Sequence, residues 1–366
     1  MCKNKLKILR PCVIGLGYVG LPILINLSKK YNSSGYDINK QRIVELKKGI
    51  DIFGVFKKNN FNKNINFYSD SNKISSYNFF IVTVPTPILK NKKPDLSHIK
   101  DVCLTISKII KRGDIIVFES TVYPGVTDNF CIPLIEKNCA LKNGVDFFVG
   151  YSPERVNPGD NKHQLKKINK ILAYPHNYKK KYILKLYSLL GKKIILTKNI
   201  KEAETAKVIE NIQRDVNIGL INEIFLACSN LKLNFSNIIK LASTKWNFLK
   251  FKPGLVGGHC LPVDPYYFSY IWKKKKFNTK ITLAGRYIND QMAQVVKDII
   301  KFKLKEMKLK KNTKILICGL TYKKDVADLR NSLALKILKM FKNKYIKGFD
   351  PLIDINTAKN NGLFIS

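Results

Sequence analysis

Residues 12–39 constrain the fold of this chain more than any other stretch. They read CVIGLGYVGLPILINLSKKYNSSGYDIN. A short apolar strand at 12–14 runs into Gly15, Gly17 and Gly20 in the spacing GxGxxG, then an apolar helix at 21–27, a turn, and a strand ending at Asp37. The glycine pattern alone is weak. Strand, glycines, helix and acidic strand end in this order are the signature of a dinucleotide-binding βαβ unit. Gly15 makes the tight turn, Gly17 lets a pyrophosphate approach the backbone, and Gly20 lets the helix pack on the strand. The helix N-terminus then faces the phosphates. Asp37 is placed to accept the adenosine ribose hydroxyls, which favours NAD over NADP, although Arg42 stands close enough to reach a phosphate instead. Pro11 opens the first strand, a position where its missing N–H is tolerated.

The same α/β rhythm continues. NFFIVTV at 78–84 reads as a buried parallel strand ending in Pro85-Thr86-Pro87; a helix at 99–111 follows, then a strand at 114–118 ending in Glu119-Ser120-Thr121. Ligands of such sheets bind beyond the strand C-termini, which puts Thr86 and Thr121 at cofactor depth. As helix or turn caps they would serve equally well. A strand at 147–150 leads into YSPERVNPGD, an ordered loop carrying Glu154 and Arg155. These segments make a doubly wound α/β domain.

Composition decides what the remaining charge means. Of 366 residues, 66 are Lys or Arg and 26 are Asp or Glu, a net charge of +40. Such a balance raises nucleic acid or membrane binding. The lysines, however, are spread along the chain, and the runs at 179–181 and 273–276 lack interleaved stacking groups. They read as solvated faces, and no specific nucleic-acid or membrane partner is expected. Against this lysine habit, the seven arginines (10, 42, 112, 155, 214, 286 and 330) mark candidate anion clamps. Eight cysteines without CxxC spacing and four scattered histidines give no metal signature. Reduced thiols, no signal-peptide h-region and no bilayer-length apolar run point to the cytoplasm. No internal repeat is evident.

From about residue 200 a long proline-free helix begins. Lys207, Asn211 and Arg214 share one of its faces, a stripe without a carboxylate that suits an oxyanion; Ile209, Ile212, Val216, Leu220 and Ile224 form an apolar side. Then comes PGLVGGHCLPVDPYY at 253–267. Three glycines and the flanking prolines shape a loop that presents Cys260, with Asp264 four residues on. This is the setting of a positioned nucleophilic thiol. A helix at 281–296 carries Arg286 and Asn289, and a second α/β pattern follows. It has a strand at 314–319, a loop and helix at 320–341, and a strand ending at Asp350, with NGLFIS at 361–366 as a stub of a third.

GLGYVGLP, VPTP, ESTVYPG, YSPERVNPGD, AETAKVIENIQRDVN, GLVGGHCLPVDPYY and GLTYKKDVADLRNS occur in that order. Together they resemble the UDP-glucose/GDP-mannose dehydrogenase family, and most closely its UDP-N-acetylhexosamine 6-dehydrogenase branch. The resemblance implies a Rossmann-like NAD-binding domain (1–198), a helical dimerisation core with the cysteine loop (199–305) and a truncated second Rossmann-like domain for the UDP-sugar (306–366). It implies a two-step, NAD-dependent oxidation of the sugar C6 hydroxyl to a uronate, for surface polysaccharide. UDP-N-acetylglucosamine is the expected substrate; UDP-glucose, UDP-N-acetylmannosamine and a non-catalytic remnant that still binds NAD are the alternatives. Cys260 resembles the nucleophile. Lys207 and Asn211 match the oxyanion donors, Asp264 and Thr121 the pair holding base or water, and Glu154 the carboxylate assisting hydrolysis. Gly15, Gly17, Tyr18, Val19, Gly20, Asp37, Arg42, Thr86, Thr121 and Arg330 match cofactor contacts. Arg155, Val156, Lys207, Asn211, Arg214, Gly257, Tyr322 and Lys323 match substrate contacts, and Arg286 a contact reaching the other subunit of a homodimer. The segment 170–178, KILAYPHNY, departs from the family's small-residue turn.

Overall fold

The computed structural model describes residues 9–52, 61, 64–155, 165–310, 312–341, 345–354 and 357–358. Val156 and the stub at 361–366 lie outside them. The chain divides into two compact units, 1–208 and 209–366.

In the first unit the elements are β1 (Pro11–Ile14), α1 (Gly20–Ser28), β2 (Ser33–Tyr36), α2 (Lys40–Lys47), β3 (Ile65–Tyr68), β4 (Phe79–Val82), α3 (Ser97–Ile109), β5 (Ile115–Phe118), α4 (Ile132–Asn138), β6 (Phe148–Tyr151), β7 (Lys170–Ala173), α5 (Lys180–Tyr187) and β8 (Ile194–Thr197). The strands form one sheet in the order β3-β2-β1-β4-β5-β6-β7-β8. The order reverses between β1 and β4, so the crevice of a doubly wound sheet opens at their C-terminal ends. Each strand alternates its side chains between two apolar layers. Val13, Ile81 and Val117 face α1 and α5, while Cys12, Ile14, Phe80, Ile116 and Val149 face α3 and α4. Both faces are covered, and for that reason these strands read as unbroken apolar runs. Pro11 is the first residue of a central strand, where no ladder donor is lost. β3, β7 and β8 carry too little apolar signal to be read from sequence; segment 170–178, the departure from the family pattern, begins with β7.

The parallel pattern breaks at one pairing. β7 is antiparallel to β6, with Tyr151 opposite Ala173, and β8 runs parallel to β7. The first residue of β7, Lys170, is thereby delivered to the edge of the sheet where β5 and β6 end.

α6 (Ile200–Asn230) starts in the first unit and runs on into the second, which continues with α7 (Phe235–Ala242), α8 (Asp264–Lys274), α9 (Lys280–Glu306), β9 (Ile315–Cys318), α10 (Leu333–Met340) and β10 (Ile346–Phe349). Gly219 of α6 and Gly285 of α9 let the two backbones approach, since a Cβ on Gly219 would sit 2.7 Å from the Gly285 carbonyl oxygen.

The expectation of no internal repeat is corrected by the backbone. Gly15 (φ +91°) donates its N–H to Tyr36 O at 2.8 Å, and Gly319 (φ +84°) donates to Phe349 O at 2.8 Å. A Cβ on Gly35 would strike Leu16 and Leu24, and one on Gly348 would strike Leu320 and Leu338. Asp37 Oδ2 accepts from Leu16 N–H at 2.8 Å, and Asp350 Oδ2 from Leu320 N–H at 2.7 Å. The two βαβ units are built alike while sharing little beyond GL and G-aromatic-D in sequence.

Candidate active site

The nucleotide end of the first unit fits a dinucleotide. Gly15 takes the left-handed conformation that favours glycine. A Cβ on Gly20 would lie 1.8 Å from Gly15 O, so glycine is obligatory for helix α1 to meet the strand. Gly17 faces open space, with nothing within 4 Å of a Cβ position, so a phosphate can come up to the backbone there. Thr83 Oγ1 fixes the turn by donating to Gly15 O at 2.7 Å. Tyr18 and Val19 are half-buried on the loop. Asp37 uses one lone pair on each oxygen, for Leu16 N–H and Asn39 N–H, and stays half-exposed with further acceptor capacity for ribose hydroxyls. Thr86 Oγ1 donates to Thr121 O at 2.5 Å, joining the ends of β4 and β5.

Beside them lies a group the sequence reading missed. Lys170 Nζ, 3% exposed, donates to Glu119 at 2.7 Å and also to Glu154. Glu119 in turn accepts from Tyr187 OH at 2.8 Å. Burial pushes the Glu119 carboxyl up to about 7 although Lys170 opposes it.

On α6 the expected faces are corrected. Ile209 and Leu220 are 49% and 53% exposed, and Arg214 is exposed. The buried residues of the helix include a polar set, Glu204, Lys207, Asn211, Asp215 and Asn222. These include two carboxylates, so the buried stripe is not the carboxylate-free one expected. Within the first unit, Glu204 accepts from Gly125 N–H at 2.5 Å and Thr127 N–H at 3.0 Å, holding the loop after Thr121. Burial pushes its carboxyl up to about 7 despite those donors.

Within the second unit the same helix ties down the cysteine loop at both ends. Asn222 exchanges two hydrogen bonds with Gly254, at 2.8 and 3.1 Å. Asn211 Nδ2 donates to Asp264 Oδ2 at 2.5 Å. Asp264, 1% exposed, is the first residue of α8, and its N–H donates to Cys260 O at 2.9 Å. Cys260 itself is exposed, on the turn that opens this helix. The middle of the loop rests on the segment 322–331. Asn331 Nδ2 donates to Gly258 O at 3.0 Å, and a Cβ on Gly257 would sit 2.7 Å from Asn331 O. His259 shares a hydrogen bond with Asp328 and packs edge-on against Tyr322. Burial alone would raise the Asp328 carboxyl; hydrogen bonds from His259 and Arg330 outweigh it and hold Asp328 well below the usual carboxylate range. Lys323 is half-buried on the same segment.

Four of the arginines read as anion clamps bind the chain's own groups, Arg112 among them through Asp146 at 3.3 Å. Arg42, 4% exposed, donates to Leu16 O and pairs with Asp51 at 2.8 Å, so it braces the glycine turn from behind. Arg286 is 1% exposed and directed into its own unit, to Asp215 at 2.5 Å and Asp290 at 3.3 Å, which corrects the reading that it reaches another subunit. Arg330 forks onto Asp328 through Nε and Nη2 while remaining 55% exposed. The fork that matches phosphate matches a carboxylate equally. Arg155 is half-buried, and its backbone N–H donates to Glu154 Oε1 at 2.6 Å. Lys273–276 are exposed as expected, but Lys179 is tucked in and donates to Gly113 O. Among the described residues no acidic, histidine or cysteine cluster suits a metal, and no helix is long and apolar enough to cross a membrane.

Comparison with known proteins bears on this arrangement. Residues 9–190 match the NAD binding domain of the UDP-glucose/GDP-mannose dehydrogenase family, and residues 201–291 match its central domain. The chain belongs to this family. NAD is accordingly its cofactor, and Gly15, Gly17, Gly20 and Asp37 are the residues whose geometry suits it. The UDP-N-acetyl-D-glucosamine 6-dehydrogenase of Pseudomonas aeruginosa is 41% identical over 96% of this chain and 85% of its own. Protein CapL of Staphylococcus aureus is 42% identical over 90% and 78%. The solved UDP-D-ManNAc dehydrogenase of Pyrococcus horikoshii superposes with a TM-score of 0.86 at 31% identity, covering 94% of this chain and 84% of that one.

Two outcomes are expected. Gly17→Ala should leave stability within about 1 kcal/mol of wild type but weaken NAD binding at least tenfold by calorimetry, whereas Gly20→Ala should unfold the first unit. Glu204, with its carboxyl raised, carries more proton folded than unfolded between its ordinary value of 4.5 and about 7. Its contribution to stability therefore falls as pH rises through that window, by roughly 3 kcal/mol in total. Glu204→Gln should flatten the slope of urea-unfolding free energy between pH 5 and 7; an unchanged slope refutes the assignment.

Proposed function

We propose that this protein is an NAD-dependent UDP-N-acetylhexosamine 6-dehydrogenase that carries the sugar C6 from alcohol to carboxylate through a thioester on Cys260. The observation that carries the reading is the exposed Cys260 on a loop fastened at both ends, with the Asn211–Asp264 pair at one of them. A thiol held this way is presented to a substrate without being buried by the fold. UDP-N-acetylglucosamine is the favoured substrate. Relatives bearing that name are 41% and 40% identical, while the UDP-N-acetyl-D-mannosamine dehydrogenases stand at 32–33%.

When bound, NAD supplies the acceptor for the two hydrides lost by C6. The chain's own groups do the rest. The Cys260 sulfur adds to the C6 aldehyde and makes a thiohemiacetal; Lys207 and Asn211 donate to its oxyanion, each such donor being worth about 3 kcal/mol in the transition state. Loss of the second hydride leaves a thioester. Water attacks its carbonyl with a carboxylate as base, Glu154 in this reading, and the C–S bond breaks to return the Cys260 thiol. Asp264 holds the Asn211 amide in place, and Thr121 with Asp264 orders the water. In this reading, as the family resemblance implies, Arg155, Arg214, Tyr322 and Lys323 are contacts of the UDP-sugar, and Arg330, Thr86 and Thr121 contacts of the cofactor.

We also infer a homodimer. α6 and the segment after α7 expose an apolar groove that includes Leu220, Ile221, Ile224, Phe248 and Leu249. Leu220 and Leu249 are 53% and 60% exposed. A second copy of this chain, bringing the same exposed Leu220 and Leu249 about a two-fold axis, is the proposed partner for this apolar face.

Incubation with UDP-N-acetylglucosamine and NAD should release two NADH per sugar, faster than with UDP-N-acetylmannosamine or UDP-glucose. Cys260→Ala should lower turnover at least about a thousandfold; an active variant would sink the mechanism. By sedimentation the wild type should run at twice the 42.0 kDa chain mass, and Leu220→Asp should run as monomer. A monomeric wild type removes the dimer.

A further inference from the structure

A lysine buried among carboxylates at the ligand-facing edge of a sheet needs a reason. Desolvating an ammonium costs several kcal/mol, and replacing such an ion pair with apolar residues is commonly neutral or stabilising. Lys170 has nevertheless been brought there by the one strand that runs against its neighbour. Because β7 opposes β6, Lys170 lies across from Glu154, three residues beyond the end of β6, and beside Glu119, the residue after β5. The carboxyl ends of the parallel strands are where a doubly wound sheet binds ligands.

The two carboxylates differ in what shares them with Lys170. Glu119 has Lys170 on one oxygen and the buried Tyr187 hydroxyl, at 2.8 Å, on the other. Glu154 takes Lys170 on Oε2 and the Arg155 N–H on Oε1. One ammonium thus faces two carboxylates, with Tyr187 from α5 and Ser152 from β6's end completing the polar surroundings. Burial pulls the Lys170 ammonium toward neutrality, but the two carboxylates outweigh it and keep it protonated.

We propose that Lys170 is a positioning residue for thioester hydrolysis: clamped between Glu119 and Glu154, it keeps the Glu154 carboxylate ionised and fixed, with Glu119 as the competing anion that tunes it. This rests on the reading of Glu154 given above. Lys170 touches no reacting atom. It acts on the second half of the reaction and leaves thioester formation alone. Without it, Glu119, whose carboxyl burial already raises to about 7, takes up a proton first, and Glu154 loses its cation and its anchor in a buried site, so its own carboxyl rises and the ionised base for water attack is depleted near neutrality.

The test uses the full chain with UDP-N-acetylglucosamine and NAD. Lys170→Met should still give a burst of NADH stoichiometric with sites, then slow at least tenfold, with a covalent sugar-acyl adduct on Cys260 in the intact mass. The acid limb of its pH–rate profile should move up by about one unit or more, as expected for a carboxylate deprived of a close cation. Lys170→Arg should restore turnover and the wild-type limb. Glu119→Gln leaves Lys170 to Glu154 alone, so its limb should move down. A merely structural cluster predicts loss of both half-reactions together and no movement of the limb in either variant, and that result overturns the proposal. Should Lys170→Met fail to fold, an unmoved limb in Glu119→Gln is sufficient to refute it. If the wild type forms no acyl adduct and no NADH with any UDP-sugar, the functional reading itself has failed; if the wild type turns over and Lys170→Met hydrolyses normally, only the role of Lys170 has.

Discussion

The structure depends on satisfying the polar groups that α6 buries. Glu204, Lys207, Asn211, Asp215 and Asn222 are all less than a tenth exposed on one helix. An unpaired buried polar group costs about 1–3 kcal/mol, and a lone buried charge more. The surrounding elements supply partners to Glu204, Asn211, Asn222 and one oxygen of Asp215, and Asp215 Oδ2 is left without one among the described residues. Glu204 collects two backbone N–H groups from the loop at 125–127. Asp215 is met by Arg286 and Asn289 of α9, and Asn289 also bonds to Asn222. Asn222 and Asn211 hold the two ends of the cysteine loop. An apolar helix face would pack as well but would carry no directional information. Here the hydrogen bonds set where Cys260 stands.

Carboxylates elsewhere do similar positional work. Asp37 and Asp350 pin equivalent backbone N–H groups at the ends of β2 and β10, which makes each glycine turn a fixed feature before any ligand arrives. Asp328 gathers His259 and Arg330, and so couples the loop carrying Cys260 to the segment 322–331. With only 26 acidic residues against 66 basic ones, a large share of the carboxylates named here are committed to backbone or arginine partners. The exposed lysines, by contrast, remain solvated and specify little.

Chain order and chemistry at short range were legible. The run from Cys12 to Asp37 announced its strand, turn, helix and strand because each element rests on contacts within thirty residues, and the glycine turn is required by backbone sterics alone. Apolar runs at 79–82 and 115–118 announced central strands because both faces are covered. β7 and β8 stayed hidden, since short strands that carry lysine or lie half-exposed at the sheet edge give little pattern. The second βαβ unit was legible as a strand, helix and strand ending at Asp350, but the atom-level match of its turn to the first is kept in φ angles and hydrogen bonds with few shared letters.

Sequence by itself determined the class of fold, the cofactor's cradle, the helix bearing Lys207 and Asn211, and the loop bearing Cys260. These follow from local spacing, where residue type and backbone geometry are tied together. Tertiary structure decided where the charged side chains go. Arg42 turned to Asp51, Arg286 to Asp215 across 71 residues, and Lys170 to Glu119 across 51. A guanidinium or ammonium carries no sign of its partner in the chain order. Its partner is whichever carboxylate the packed elements bring within 3 Å, and for Lys170 that depended on one strand running antiparallel.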